Sequence, residues 1–148
     1  MLTYSEEEVQ GNYWLGNKPT EEFIIALCEP EIIKTLRLVN THNAPHKKRA
    51  TREFKVYLSD QPSGPWTLAL DSSFVDPQEE STQPVLDFPI TPSLAEFIKF
   101  EMVSYHGGHG GGLQYIAALP GQHLRIFIVC RSAKLYSYIV LYQVSIAL

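Results

Sequence analysis

Cysteine is scarce in this chain: Cys28 and Cys130 are the two among 148 residues, too few for the disulfide framework of a small secreted domain. Each adjoins an apolar run, 24–27 or 126–129, so both are expected as buried thiols, because cysteine packs as a small hydrophobe. A single disulfide between them stays open as the alternative. Charge is sparse as well, at 19% of residues with a net charge of −4. That leaves no basic stripe to follow a nucleic-acid backbone; Lys47-Lys48-Arg49, with Arg52 nearby, is a short cluster. The longest charge-free run of the C-terminal tail is 135–148, short of the ~20 residues of a membrane-spanning helix. No N-x-Ser/Thr sequon follows Asn12, Asn17, Asn40 or Asn43. Residues 1–10 lack the basic and apolar regions of a signal peptide, so none is expected here, although a piece of a longer secreted chain would read the same.

The signatures of catalysis are missing too. There is no Gly-x-Ser-x-Gly elbow, no Cys–His motif and no pair of carboxylates set for acid–base work, so no enzyme is expected. The glycines of 107–112 lack the closing Gly-Lys-Ser/Thr of a phosphate loop and precede a strand-like LQYI, which excludes both phosphate-binding fingerprints. His42 and His46 are spaced for metal ligation, as are His106 and His109, and three or four imidazoles suit zinc or copper. The first pair, however, sits in a loop with Pro45, and no cysteine or acid completes either set. No metal site is expected.

What is present is short-period patterning. Residues 23–28 (FIIALC) form an apolar run closed by Glu29-Pro30, and 32–40 alternate from Lys34 on, with Leu36 and Leu38 on one face. In 54–59, Phe54, Val56 and Leu58 alternate with Lys55 and Tyr57; 97–103 alternate again. A strand at 66–70 follows the DQPSGP loop, and one short strand, 85–90, interrupts the long connection 71–92. Ten prolines and nine glycines fall mostly between these runs. Period-two alternation broken by turn residues predicts an all-β sandwich with minor helix. The tail reads as a hairpin about Arg131-Ser132-Ala133-Lys134.

The landmarks occur in a telling order: YWLGNK at 13–18, FIIALCEPEIIKTLRLVNTHN at 23–43, RATREFKVYLSDQPSGPWTLAL at 49–70, and FIKFEMVSYHGGHGGGLQYI at 97–116. Together they resemble the discoidin, or coagulation factor 5/8 type C, domain family. The resemblance implies a galactose-binding-like β-sandwich, a distorted jelly-roll barrel, over about residues 13–118, shortened at its N-terminal edge. Residues 119–148 then form an apolar extension. Some members bind calcium, but the matching positions, 9–12 and Gln114-Tyr115, carry no carboxylate, and calcium wants several oxygen ligands. No cofactor is expected.

The resemblance further implies a non-catalytic module that recognises a glycan or another cell-surface ligand in adhesion, with anionic phospholipid as a further partner and an extracellular setting. An intracellular protein–protein module is the alternative, as is a carbohydrate-binding domain separated from an enzyme. The loop 40–49 (NTHNAPHKKR) offers amide, imidazole, ammonium and guanidinium donors, suited to sugar hydroxyls, phosphate or carboxylate. Asn40, His42, Asn43, His46, Lys47 and Arg49 are therefore the candidate ligand contacts, joined by His106 and His109 from the glycine-rich turn. Arg49 also has an internal alternative, pairing with Glu53 or Asp60. Trp14 and Trp66 read as core or turn-packing residues.

Overall fold

The computed structural model describes residues 14–16, 18, 20–41, 49–77, 85–107, 110–120, 126–130 and 138–144. They form eight strands: β1 (Trp14–Leu15), β2 (Glu22–Asn40), β3 (Glu53–Ser59), β4 (Thr67–Ser73), β5 (Leu86–Met102), β6 (Gly112–Leu119), β7 (Ile126–Cys130) and β8 (Tyr138–Val144). No α-helix occurs among the described residues. Every pairing is antiparallel except that of β2 with β8.

Two long strands organise the fold. The runs expected at 23–28 and 32–40 are one strand, β2, and those at 85–90 and 97–103 belong to one strand, β5. Glu29-Pro30 and Pro92 were natural places to end a strand, yet both fall where the β2–β5 ladder is interrupted. Residues 27–30 stand opposite Glu96 alone, and 90–92 opposite Lys34 alone. A proline there forfeits no ladder hydrogen bond, and the extra residues bend the strand, as bulges do. The inward phase changes with the register: Phe23, Ile25 and Leu27 are buried before the bend, Leu36 and Leu38 after it.

The bend folds the antiparallel β2–β5 pair over itself and makes two layers. Before it, β2 lies between β5 and β8, and β5 continues to β3 and β4. Beyond it, β2 pairs with the first part of β5 and with β6, which takes β1 at its edge. The result is a galactose-binding-like β-sandwich. Between the layers runs a chain of rings, Trp14–Phe23–Phe100–Phe54–Phe74, with centroid separations of 5.0, 5.3, 5.6 and 4.4 Å. Such contacts add about 0.5–1.5 kcal/mol each to the burial itself. Trp14 is thus a core residue, as its sequence setting implied. β7 and β8 pair antiparallel, from Ile126↔Val144 to Cys130↔Val140, and β8 lines up in parallel with β2 at Ile24–Leu27.

Cys28 departs from expectation: it is exposed. Alternation explains this, because Phe23, Ile25 and Leu27 take the inner face and Cys28 falls on the other. The matching expectation for Cys130 concerns a side chain outside those described.

Candidate functional site

Because β2 and β5 fold back, both ends of β2 reach the same end of the sandwich. Glu22 pairs with Glu101, while Asn40 pairs with Leu113, whose neighbour in β1 is Trp14. The connections entering and leaving 42–48, 78–84 and 108–109 therefore converge there. Their bases are joined by a dense set of polar contacts.

Thr51 is the centre of that set. Its amide donates to Asn40 Oδ1 at 3.0 Å, its carbonyl accepts from Asn40 Nδ2 at 2.9 Å, and its hydroxyl donates to the Gly112 carbonyl at 2.8 Å. It also forms an isolated bridge with Tyr105. Flanking main-chain bonds extend the seam: Arg52 N to Ser104 O at 2.8 Å, His106 N to Ala50 O at 2.9 Å, and Phe74 N to Arg52 O at 2.8 Å. Residues 50–53 thus lock the glycine-rich segment to the start of the β4–β5 connection.

Glycines make the close approach possible on the other side. Gly16 N donates to Gly111 O at 2.9 Å. A Cβ on Gly112 would lie 2.6 Å from both the Thr41 hydroxyl oxygen and the Trp14 carbonyl oxygen, and backbone cannot yield to it. Gly110 has φ 115°, a conformation that glycine adopts without steric cost. Residues 104–107 and 110–111 thus lead from β5 into β6 with close backbone packing at Gly111 and Gly112, as the setting of this stretch beside β5 suggested.

Four of the five buried polar side chains among the described residues fall at this end: Asn40, Thr41, Thr51 and Gln114 are all at most 6% exposed, at the end of β2, in the connection after it and near the start of β6. The fifth, Ser59, ends β3. Burying polar groups is costly unless they are bonded, and the Asn40 and Thr51 groups are bonded to each other and to the Gly112 carbonyl.

The candidate contacts sort accordingly. Asn40 is buried, and its carboxamide serves Thr51 and the Thr41 amide. Arg49 Nη2 donates to the Gly16 carbonyl at 3.1 Å, tying the loop's exit to the segment after β1. His106 is partly buried; its Nε2 lies 2.8 Å from the Phe74 carbonyl oxygen, so Nε2 carries the proton. Its Nδ1 faces Asp76 Oδ2 at 4.0 Å. The structure brings these three to one end but turns them toward the protein. His42, Asn43, His46, Lys47 and His109 lie outside the described residues. Thr41, Thr51 and Gly112, which sequence reasoning did not single out as site residues, complete the frame. A buried Thr is indistinguishable in sequence from a surface one, and only the Gly run gave a signal. Among the described residues no group of three or more His, Cys, Asp or Glu is placed to hold a metal ion.

No protein-family model matches the chain, and no curated protein matches it either. Solved structures do. One is the CBM32 of AlyQ in complex with 4,5-unsaturated mannuronic acid, at 12% identity and TM-score 0.59, covering 74% of this chain and 78% of that one. A longer AlyQ structure, with CBM32 and alginate lyase domains, matches with TM-score 0.59 and 12% identity over 72% of this chain and 25% of that one. The family 32 carbohydrate-binding module from Streptococcus pneumoniae EndoD matches with TM-score 0.56 at 15% identity, over 73% of this chain and 75% of that one. A pectin binding carbohydrate binding module matches with TM-score 0.58 at 15% identity, over 83% and 89%. At these identities the likeness is one of fold.

Proposed function

We propose that the chain is a non-catalytic carbohydrate-binding module whose ligand is held by the loops above the Asn40–Thr51 frame. The observation that carries this reading is the concentration of buried polar residues at one end of the sandwich, centred on the bonded Asn40–Thr51 pair. A rigid base beneath a binding segment lowers the ordering cost of binding, and sugar recognition rewards well-placed donors and acceptors. That solved structures with this fold include carbohydrate-binding modules, one with a uronic acid bound, supports the same reading.

Within it, Asn40, Arg49 and His106 are positioning residues, and His42, Asn43, His46, Lys47 and His109 are the side chains offered to ligand. The order of motifs favours the discoidin branch of this fold, with a cell-surface glycan in adhesion as the finer assignment. Anionic phospholipid is the lesser partner, and an intracellular protein partner is the rival from another class. A module that serves an enzyme is a second reading, favoured by the AlyQ chain in which such a domain accompanies alginate lyase domains. No helix among the described residues is long and apolar enough to cross a membrane.

A glycan array run alongside flotation with phosphatidylserine vesicles tests the proposal. Glycan binding that falls on replacing His42, Asn43 and His46 with Ala, at unchanged melting temperature, supports it. Vesicle binding without glycan binding overturns the carbohydrate assignment, and glycan binding indifferent to the triple substitution overturns the loop assignment.

A further inference from the structure

The outer face of β3 and β5 carries a group of side chains that the loop end does not use. Tyr57 and Lys99 are cross-strand partners, and both point away from the core, since Val56, Leu58, Ile98 and Phe100 beside them are buried. Trp66, just before β4, folds over this row: Lys99 Nζ lies 4.7 Å from the Tyr57 ring centroid and 5.0 Å from that of Trp66. The turn at Gly64, with φ 84°, abuts the indole so closely that a Cβ there would stand 2.8 Å from Trp66 Cδ1. One face and one edge of the indole are therefore held by the protein, yet the ring remains partly exposed. Leu68, the cross-strand partner of Tyr57 in β4, is 50% exposed on the same face.

Polar groups rim these rings. The Tyr57 hydroxyl donates to Glu101 Oε2 at 2.8 Å, Glu22 lies 3.5 Å from Lys99 Nζ, and Asp71 lies 3.8 Å from Lys55 Nζ. We propose that this face is a second ligand surface, separate from the loop end, that takes a neutral saccharide on the Trp66 indole and Leu68. The C–H face of a pyranose is apolar and suits an aromatic ring, and a ring already fixed by Gly64 and Lys99 loses little freedom on contact. The carboxylates of Glu22 and Glu101 keep acceptor capacity for sugar hydroxyls. Carboxylates at Glu22, Glu101 and Asp71 outnumber the ammonium groups of Lys55 and Lys99, so an acidic saccharide meets net repulsion.

The test is an NMR titration of the ¹⁵N-labelled full chain with galactotetraose and, separately, with the tetrasaccharide of galacturonic acid. The indole signals of Trp14 and Trp66 are told apart with Trp66→Phe. The neutral sugar is expected to shift the Trp66 indole and the Leu68 and Lys99 amides, and the acidic one to leave them in place. Trp66→Ala should weaken the neutral interaction by about tenfold or more, the loss of one stacking contact. Leu68→Asp, at an exposed position that folding tolerates, should weaken it several-fold by the same reasoning. Shifts confined to Thr51, Gly112 and their neighbours would overturn the second surface while leaving the loop-end reading intact. No shift anywhere would count against both, and a stronger response to the acidic sugar would overturn the neutral class.

Discussion

The carboxamide of Asn40 does for Thr51 what a neighbouring strand would do. It accepts from the Thr51 amide at 3.0 Å and donates to the Thr51 carbonyl at 2.9 Å. One side chain thereby satisfies both main-chain groups of a fully buried residue, in the connection from β2 to β3 where Thr51 belongs to neither strand. The same oxygen also accepts from the Thr41 amide at 2.9 Å. Entry and exit of the 42–48 loop are thus clamped by a single residue.

Removing that clamp should be costly. Asn40→Ala leaves the Thr51 amide and carbonyl buried without their partner, and an unsatisfied buried group costs about 1–3 kcal/mol. A loss of roughly 2–4 kcal/mol is expected in urea unfolding. Asn40→Asp should fare no better at neutral pH, because a carboxylate oxygen then faces the Thr51 carbonyl in place of a donor. A loss below about 0.5 kcal/mol, the range of ordinary surface substitutions, would show that the clamp does not hold the frame.

Tyr57 should ionise unusually late. Its hydroxyl donates to Glu101, and that bond, followed by burial and by the nearby carboxylates, pushes its pKa up to about 12. The folded state favours the neutral phenol. Its contribution is therefore complete below the unfolded value of about 10 and fades as pH rises through about 12. Subtracting the ultraviolet titration of Tyr57→Phe from that of the wild type should isolate this late step. Glu101→Gln should move it toward 10, and an unmoved midpoint would deny Glu101 its role.

Much of this was legible in the sequence, for a physical reason. Alternation reports which residues of a strand share a face, so Phe54, Val56 and Leu58 were grouped correctly, as were Leu36 and Leu38, and each group is buried. What alternation does not report is where a strand bends. Pro30 and Pro92 signal an interrupted ladder, and a chain end and a corner interrupt it alike. The site was less legible because a polar residue's local setting is silent about distant partners. Asn40 looks like a ligand donor until Thr51 is seen across its carboxamide, and His106 does until the Phe74 carbonyl is seen at its Nε2. Trp66 was read as a core or turn-packing residue, and it does pack on Gly64, but its place over Lys99 depends on the β3–β5 pairing.

Arg37 and Asp87 form a two-pronged ion pair across β2 and β5, at 2.7 and 2.8 Å. The Arg37 guanidinium holds the Asp87 carboxyl below its ordinary pKa, against a smaller opposing effect of burial. A depressed carboxyl stabilises the fold above its unfolded value, near 3.9, and that contribution is lost as pH falls through the lower folded value. Both side chains are more than a third exposed, so screening limits the pair to about 1 kcal/mol at most. Asp87→Asn should accordingly be slightly less stable than the wild type at pH 6, and the gap should close in strong acid and narrow in 1 M salt. A gap independent of pH would assign the difference to packing instead.

Thr41 and Gly112 supply the last prediction, in which two substitutions at one contact run in opposite directions. The Thr41 hydroxyl oxygen is buried with no hydrogen-bond partner among the described residues, held against Gly112 where a Cβ would come within 2.6 Å of it. A buried hydroxyl with no partner has lost its water and gained nothing, so an apolar group of the same shape is neutral or better. Thr41→Val should therefore leave stability unchanged or raise it by up to about 1 kcal/mol. Gly112→Ala should do the reverse, because the Trp14 carbonyl is backbone and cannot give way, and overpacking of this kind costs about 1–3 kcal/mol. Combining the two should recover little, since Val still crowds the new methyl and the Trp14 carbonyl remains. Thermal melts of the three variants decide it. A marked loss in Thr41→Val would mean that the hydroxyl has a partner in solution, such as a bound water, and would place a polar cavity beneath the loop.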